Sequence, residues 1–168
     1  MQMDLERIYE EHAQALFGFL LNMTRDESDT RDVLQDVFLK LAAQPDLLRE
    51  ARDPRAFLLR LAHNLAVDLF RRRTVRRNGA ASLAAQPQPL FAASQDPDEA
   101  AFRGALDRAL GELPDEQRAV VYLKLWEGMT FDAIAGTLDI PPNTAASRYR
   151  YGLDKLRELL RPLYEEVR

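Results

Sequence analysis

Cysteine is absent from the 168 residues, which excludes disulfides and thiolate-held metals. Histidine is nearly absent. His12 and His63 are the only two, and neither sits in a Glu-x-x-His pair, so a di-iron bundle finds no support. No Gly-rich phosphate loop and no Ser nucleophile motif occurs. No apolar run approaches the roughly 20 residues of a membrane span, and the opening stretch MQMDLERIYEEH is acidic, unlike a secretory signal. Strand-like alternation is missing as well. These absences predict an all-α, cytoplasmic protein that is not an enzyme, with no cofactor, no metal site and no membrane insertion.

What is present is ordinary in total and uneven in distribution. Hydrophobic content is 46% and charged content 30%, normal for a soluble protein, and the length suits one domain or two small ones. The net charge of −4 argues weakly against nucleic acid. Residues 1–53, however, hold 6 basic and 12 acidic side chains, whereas residues 54–79 hold 7 basic and 1 acidic. The stretch from Pro142 to Arg161 is 5 to 2 in favour of basic. An acidic chain with two basic surfaces fits a protein with both a protein partner and a nucleic-acid partner.

Helical periodicity runs from Asp4 to Met23 through Leu5, Ile8, Ala15, Leu16, Phe19 and Leu20. A second helix, capped by Ser28 or Asp29, extends to about Ala43. It turns Val33, Leu34, Val37, Phe38 and Leu41 inward, and Asp29, Asp32, Gln35, Asp36 and Lys40 outward. Gln44 to Asp53 reads as a loop. Pro54 to about Arg73 is a long helix ending in Arg71-Arg72-Arg73, with Arg76 and Arg77 beyond. Such a run neutralises phosphates without sequence preference. Residues 78–98 lack helical periodicity and read as a flexible linker, about 70 Å long if fully extended. Leu90-Phe91 is its apolar spot, suited to docking. Helical pattern resumes at Glu99 with Phe102, Leu106, Ala109 and Leu110, and Pro114 opens another helix.

The stretch Glu127 to Leu160 reads as helix, corner, helix. Thr130 is the expected N-cap, Asp132 suits the positive helix end, and Asp139 tolerates the left-handed corner. Pro142 fits a first helical position. Ala145, Tyr149, Leu153, Leu156 and Leu160 mark the buried face of the second helix. Thr144, Ser147, Arg148, Arg150 and Tyr151 are left outside, a set suited to base edges in a major groove. Lys155, Arg157 and Arg161 follow where phosphates would be met.

Three stretches together resemble a known family: Asp29-Thr30-Arg31-Asp32-Val33-Leu34-Gln35-Asp36-Val37-Phe38, Pro54 to Asp68 with the Arg run after it, and Leu113-Pro114-Asp115-Glu116-Gln117-Arg118 leading into the hairpin. In this order they are similar to the group IV, or extracytoplasmic-function, sigma factors of bacterial RNA polymerase. The resemblance implies two small helical domains, residues 1–77 and 99–168, joined by a linker at 78–98, the second domain carrying a helix-turn-helix. It implies that Asp29, Asp32, Gln35 and Asp36 bind the clamp of the largest subunit of core RNA polymerase. It implies a −10 promoter surface of Leu48, Arg49, Phe57, Arg60, Asn64, Arg71, Arg72 and Arg73, with the Pro45–Asp53 loop taking up a flipped base. It implies a −35 surface of Thr144, Ser147, Arg148, Arg150 and Tyr151. An anti-sigma factor is a further partner class that it admits.

Departures from the family pattern stand at Phe57, where Trp is common, at Ala146, where Lys or Arg is common, and at Ala145, where Val is usual. The first should weaken stacking on opened DNA; the second removes a contact near the −35 element. Two other readings stay open. A regulator of the response-regulator type shares the C-terminal hairpin but needs a βα receiver that residues 1–73 do not show. A helical protein-binding adaptor explains the acidic face but not the Arg run together with the 142–157 face.

Overall fold

A computed structural model describes residues 4–77 and 89–166. Among these residues the chain is helical, with eight α-helices: α1 Leu5–Thr24, α2 Glu27–Ala43, α3 Asp46–Arg49, α4 Pro54–Arg77, α5 Pro97–Glu112, α6 Asp115–Leu125, α7 Phe131–Leu138 and α8 Pro142–Glu166. The chain forms two compact units, the first of residues 1–88 with 136–138 and the second of residues 89–135 and 139–168. No helix among the described residues is long and apolar enough to cross a membrane.

In the first unit α1, α2 and α4 pack on one another pairwise. Leu16, Phe19 and Leu20 of α1 meet Val33, Val37 and Leu41 of α2 and Leu58, Ala62 and Ala66 of α4 in a buried core. The local chemistry sets each boundary. Asp4 caps α1 by accepting from the Arg7 N–H at 3.2 Å, which satisfies a first-turn donor that has no partner within the helix. Arg25 then closes α1 in the left-handed region at φ 55°. The cap of α2 is Asp26, not Ser28 or Asp29, because the Asp26 carboxylate accepts from the Asp29 N–H at 2.8 Å. A hydroxyl pair fastens the corner, Thr24 Oγ1 to Thr30 Oγ1 at 2.7 Å.

The expected loop at 44–53 contains the helical turn α3. Asp46 sits at its positive end and Arg49 at its negative end, as the helix dipole favours, and Leu48 turns into the core. Asp53 caps α4 through the Ala56 N–H at 3.2 Å, and Pro54 takes the first helical position, where a missing N–H costs nothing.

The second unit begins before its first helix. Asp96 caps α5 through the Asp98 N–H at 2.9 Å, so the helix starts at Pro97, two residues earlier than the periodicity predicts. Of the expected linker, residues 78–88 lie outside the described residues. Residues 89–96 fold back as a strap, with Leu90 and Phe91 packed against the core of Ala109, Leu110, Leu113, Val121, Leu156 and Leu160. The docking expected of Leu90-Phe91 is thus found, and its target is this unit's own core.

Helices α6 and α8 approach closely at Gly152. A Cβ there would lie 2.7 Å from Val121 Cγ2, so only glycine fits without a shift. Thr130 caps α7 through the Ala133 N–H at 3.1 Å, and Asp139 takes the left-handed corner at φ 57°, both as expected. Helix α8 passes the expected end near Leu160 and continues through Pro162 to Glu166.

Candidate nucleic-acid interfaces

Helix α2 supplies the acidic surface. Asp32, Gln35 and Asp36 are exposed, and their spacing of three and four puts them on one face. Asp29 does not join them. It is 6% exposed and accepts both guanidinium nitrogens of Arg73 from α4. The reason is helical arithmetic: Asp29, Val33, Val37 and Leu41 recur every four residues and all are buried. The carboxylate lies on the core stripe, so it needs a cation there. The expectation that Asp29 faces outward is corrected on this point, as is the free standing of Arg73.

Beside Gln35 the structure opens a groove of about 550 Å³, lined by Tyr9, Phe17, Arg31, Leu34, Gln35, Phe38 and Leu39. Phe38, expected inside, instead packs its ring 5.0 Å from that of Tyr9. Leu39 is 59% and Tyr9 51% exposed. Periodicity alone passed over this apolar rim. The available signal was Leu39, an apolar residue off the buried stripe.

Helix α4 supplies the first basic surface. Phe57 is half-buried; Arg60, Asn64, Arg71 and Arg72 are exposed. Residues 57, 60, 64 and 71 share a face by spacing, so an aromatic, an amide and two guanidinium groups lie in one row. Arg72 Nε donates to the Asp68 carbonyl at 3.4 Å. Next to Asn64, burial holds the His63 imidazole below its ordinary range, opposed by a weaker hydrogen bond to the Asn64 side chain. Of the α3 pair, Leu48 is buried, a correction to its expected place on the −10 surface. Of the two leucines in this short helix, Leu48 is buried and Leu47 half-buried. Arg49 is exposed and leans to Asp46 at 3.4 Å.

The N-terminal half of α8 supplies the second basic surface. Thr144 and Ser147 are half-buried, while Arg150 and Tyr151 are exposed. The Arg150 guanidinium carbon lies 5.2 Å from the Tyr151 ring centroid, a cation–π contact that holds the arginine over the face. Arg148 is drawn aside to Glu116 of α6 at 3.4 Å. Tyr149, expected inside, sets its ring 5.5 Å from Phe131 and so props α8 against the start of α7.

Sequence reasoning gave Arg118 no role of its own, although the motif it closes was noticed. Its guanidinium is 5% exposed. It donates to the carbonyls of Leu110 at 3.5 Å, Gly111 at 3.3 Å and Leu113 at 3.4 Å, and to Asp115 Oδ1 at 2.6 Å. Those carbonyls lie at the end of α5 and just past it, where a helix runs short of backbone donors, although that of Leu110 also accepts from the Leu113 N–H at 3.2 Å. The Leu113–Arg118 motif is therefore a helix junction that sets the angle of the scaffold beneath α8. Among the described residues no group of acidic or histidine side chains is placed to hold a metal.

Known proteins resemble the chain over nearly its whole length. Residues 8–76 match the family model for Sigma-70 region 2 and residues 103–156 that for Sigma-70, region 4. The ECF RNA polymerase sigma factor SigL of Mycobacterium tuberculosis is 33% identical over 95% of this chain and 90% of its own. RNA polymerase sigma factor CarQ of Myxococcus xanthus is 34% identical over 96% and 92%. The sigma factor RpoE of Bartonella quintana, solved in complex with the anti-sigma factor NepR, shares the fold with a TM-score of 0.71 at 21% identity, covering 93% of this chain and 96% of that one.

Proposed function

Since the chain belongs to the extracytoplasmic-function sigma factors of bacterial RNA polymerase, we propose that its three surfaces divide the work of promoter selection between the two units. The chain is a transcription initiation factor that binds core polymerase and promoter DNA and directs the enzyme to promoters. That membership sets aside the response-regulator and adaptor readings. The finer reading assigns polymerase docking to Asp32, Gln35 and Asp36, −10 recognition and opening to the α4 row with Arg49, and −35 recognition to the start of α8. The domains run 1–77 and from the strap onward. No catalytic step falls to this chain, and its place of work is the cytoplasm, with core polymerase. The Bartonella protein's anti-sigma partner motivates a partner of the same kind here, which copurification from the host would detect.

The observation that carries this reading is the separation of charge on the first unit. Asp32, Gln35 and Asp36 are exposed on α2, and Arg60, Asn64, Arg71 and Arg72 are exposed on α4. One helix offers acceptors to a basic partner and the other offers cations to phosphate. On α8, Arg150 is the base-reading candidate, since a guanidinium can donate twice to a guanine edge and discriminate by about 1–3 kcal/mol.

Run-off transcription with core polymerase on a randomised promoter library tests both ends. Asp32→Lys with Asp36→Lys should abolish capture of core polymerase, and Arg150→Ala should change which −35 bases are accepted. Undiminished capture of core by the double reversal would remove the docking assignment. An unchanged base preference in the arginine variant would remove the other.

A further inference from the structure

We propose that Glu116 tunes the strength of promoter binding by holding Arg148 away from the DNA backbone. The inference rests on the reading of α8 as the −35 surface.

The pair follows from the way α6 meets α8. Helix α6 opens with two carboxylates, Asp115 and Glu116, where the positive helix end favours them. Asp115 is engaged by the buried Arg118 at 2.6 Å. Glu116 is exposed and reaches across to α8, where its Oε2 lies 3.4 Å from Arg148 Nη2. The close approach of the two helices makes this possible. A Cβ at Gly152 would lie 3.6 Å from the Gln117 Cβ as well as against Val121, so the residue after Glu116 already abuts α8 there. Arg148 stands four positions before Gly152, one turn along the same face. Exposed ion pairs are usually weak, because two long side chains must be held in one geometry. Here packing supplies much of that order: Arg148 is half-buried, and its partner sits on a helix fixed at the Arg118 junction.

The two arginines at the start of α8 therefore meet DNA differently. Arg150 rests on a neutral ring, that of Tyr151, at 5.2 Å and keeps its full charge for a base edge. Arg148 faces a carboxylate that matches its charge and would itself repel an approaching phosphate. A guanidinium withheld in this way removes one contact from the sequence-independent part of binding and leaves base reading untouched. Promoter occupancy then stays further below saturation, where a difference in base reading shows as a difference in output. Glu116 is thus a positioning residue: it acts on DNA through Arg148.

The experiment compares the full-length wild type, Glu116→Gln, Arg148→Ala and the double variant Glu116→Gln/Arg148→Ala, each assembled into holoenzyme. Run-off transcription is titrated with holoenzyme over a series of salt concentrations. The templates are a promoter selected from a random library and its single −35 substitutions. Circular dichroism and the emission of the chain's one tryptophan, Trp126, check the fold. Glu116→Gln should raise apparent affinity several-fold on every template alike, with base preference unchanged. Its affinity should also fall more steeply with salt, the slope of log affinity against log salt steepening by about 0.9 for one added phosphate contact. Both changes should vanish when Arg148→Ala is added, and Arg148→Ala should cost less affinity in the wild-type background than beside Glu116→Gln. If Glu116→Gln loses helix content, Glu116→Asp carries the test: it keeps the charge, shortens the reach and should give the same changes in smaller measure. Absence of either change, or a gain that survives Arg148→Ala, would overturn the proposal. So would a shift in −35 base preference, which would make Arg148 a base reader set in place by Glu116. Wild-type output indifferent to every −35 substitution would strike the reading of α8, and the proposal with it.

Discussion

Among the described residues each unit buries one charged side chain almost completely, Asp29 in the first at 6% exposure and Arg118 in the second at 5%. The two are held in opposite ways. Arg118 bonds to carbonyls five to eight residues before it and to Asp115 three residues before it. These partners belong to one helix junction and arrive with the local fold. Asp29 depends on Arg73, 44 residues away on another helix, and has that partner only when α2 and α4 are docked. The contrast separates a charge that finishes a local joint from one that clamps a tertiary interface. Neither is available to a partner, although both lie within the motifs that mark the family.

The comparison breaks most visibly at Arg118. Arg118→Ala removes donors from several carbonyls at the end of α5 and leaves a cavity, and should cost the second unit about 3 kcal/mol. Against a total of about 5–15 kcal/mol, that is a large share. Arg118→Lys should recover only part of it, because an ammonium cannot fork across several carbonyls. Urea unfolding followed by Trp126 emission measures both. A midpoint unchanged in the alanine variant would show the junction to be ornamental.

At the other charge the asymmetry of exposure sets the order of effects. Arg73 is 46% exposed in its side chain, so Asp29→Ala lets it turn into water and should cost about 1 kcal/mol. Arg73→Ala strands a buried carboxylate and should cost more, about 2 kcal/mol. Both losses belong to the unfolding transition that Trp126 does not report and are read by far-ultraviolet circular dichroism. Asp32→Lys with Asp36→Lys should move that transition by less than about 0.5 kcal/mol while capture of core polymerase falls. If Asp29→Ala were the mildest for folding and the worst for polymerase capture, the clamp would be misassigned.

Local rules were legible in the sequence and long-range ones were not. The Thr130 cap, the left-handed Asp139 and the Pro142 start follow from residue type and position, and the fold has them. The resemblance points to Arg60, Asn64 and Arg71 and helical spacing to the pair Arg150, Tyr151, and all five are exposed. Asp29 was misplaced because its polarity outweighed its position on the buried stripe, and only the distant Arg73 makes that position tolerable. Leu48 was misplaced because a four-residue helix is too short to show periodicity. Leu90-Phe91 stood out as a docking spot, but the Ala, Gln, Ser and Pro composition around it reads as linker, because the partners of the pair lie far along the chain on α5 and α8. Gly152 carried no signal at all, since its need to be small is set by Val121 on α6.

The smallest expected effect concerns a third buried group, this one neutral. His63 lies on α4 beside the exposed Asn64, and its Nδ1 is buried with no hydrogen-bond partner. Burial lowers its pKa from the ordinary 6.5, and the Asn64 side chain only partly offsets this. Protonation therefore favours the unfolded chain, in which the imidazole is hydrated. The stability of the first unit should be fully present above pH 6.5 and decline as the pH falls through that value toward the depressed one. His63→Gln, which cannot take up a proton, should flatten the decline while leaving stability at pH 8 nearly unchanged. Thermal melts of both proteins between pH 5 and pH 8 decide it: parallel curves would show that His63 is not the group that couples this unit to acid.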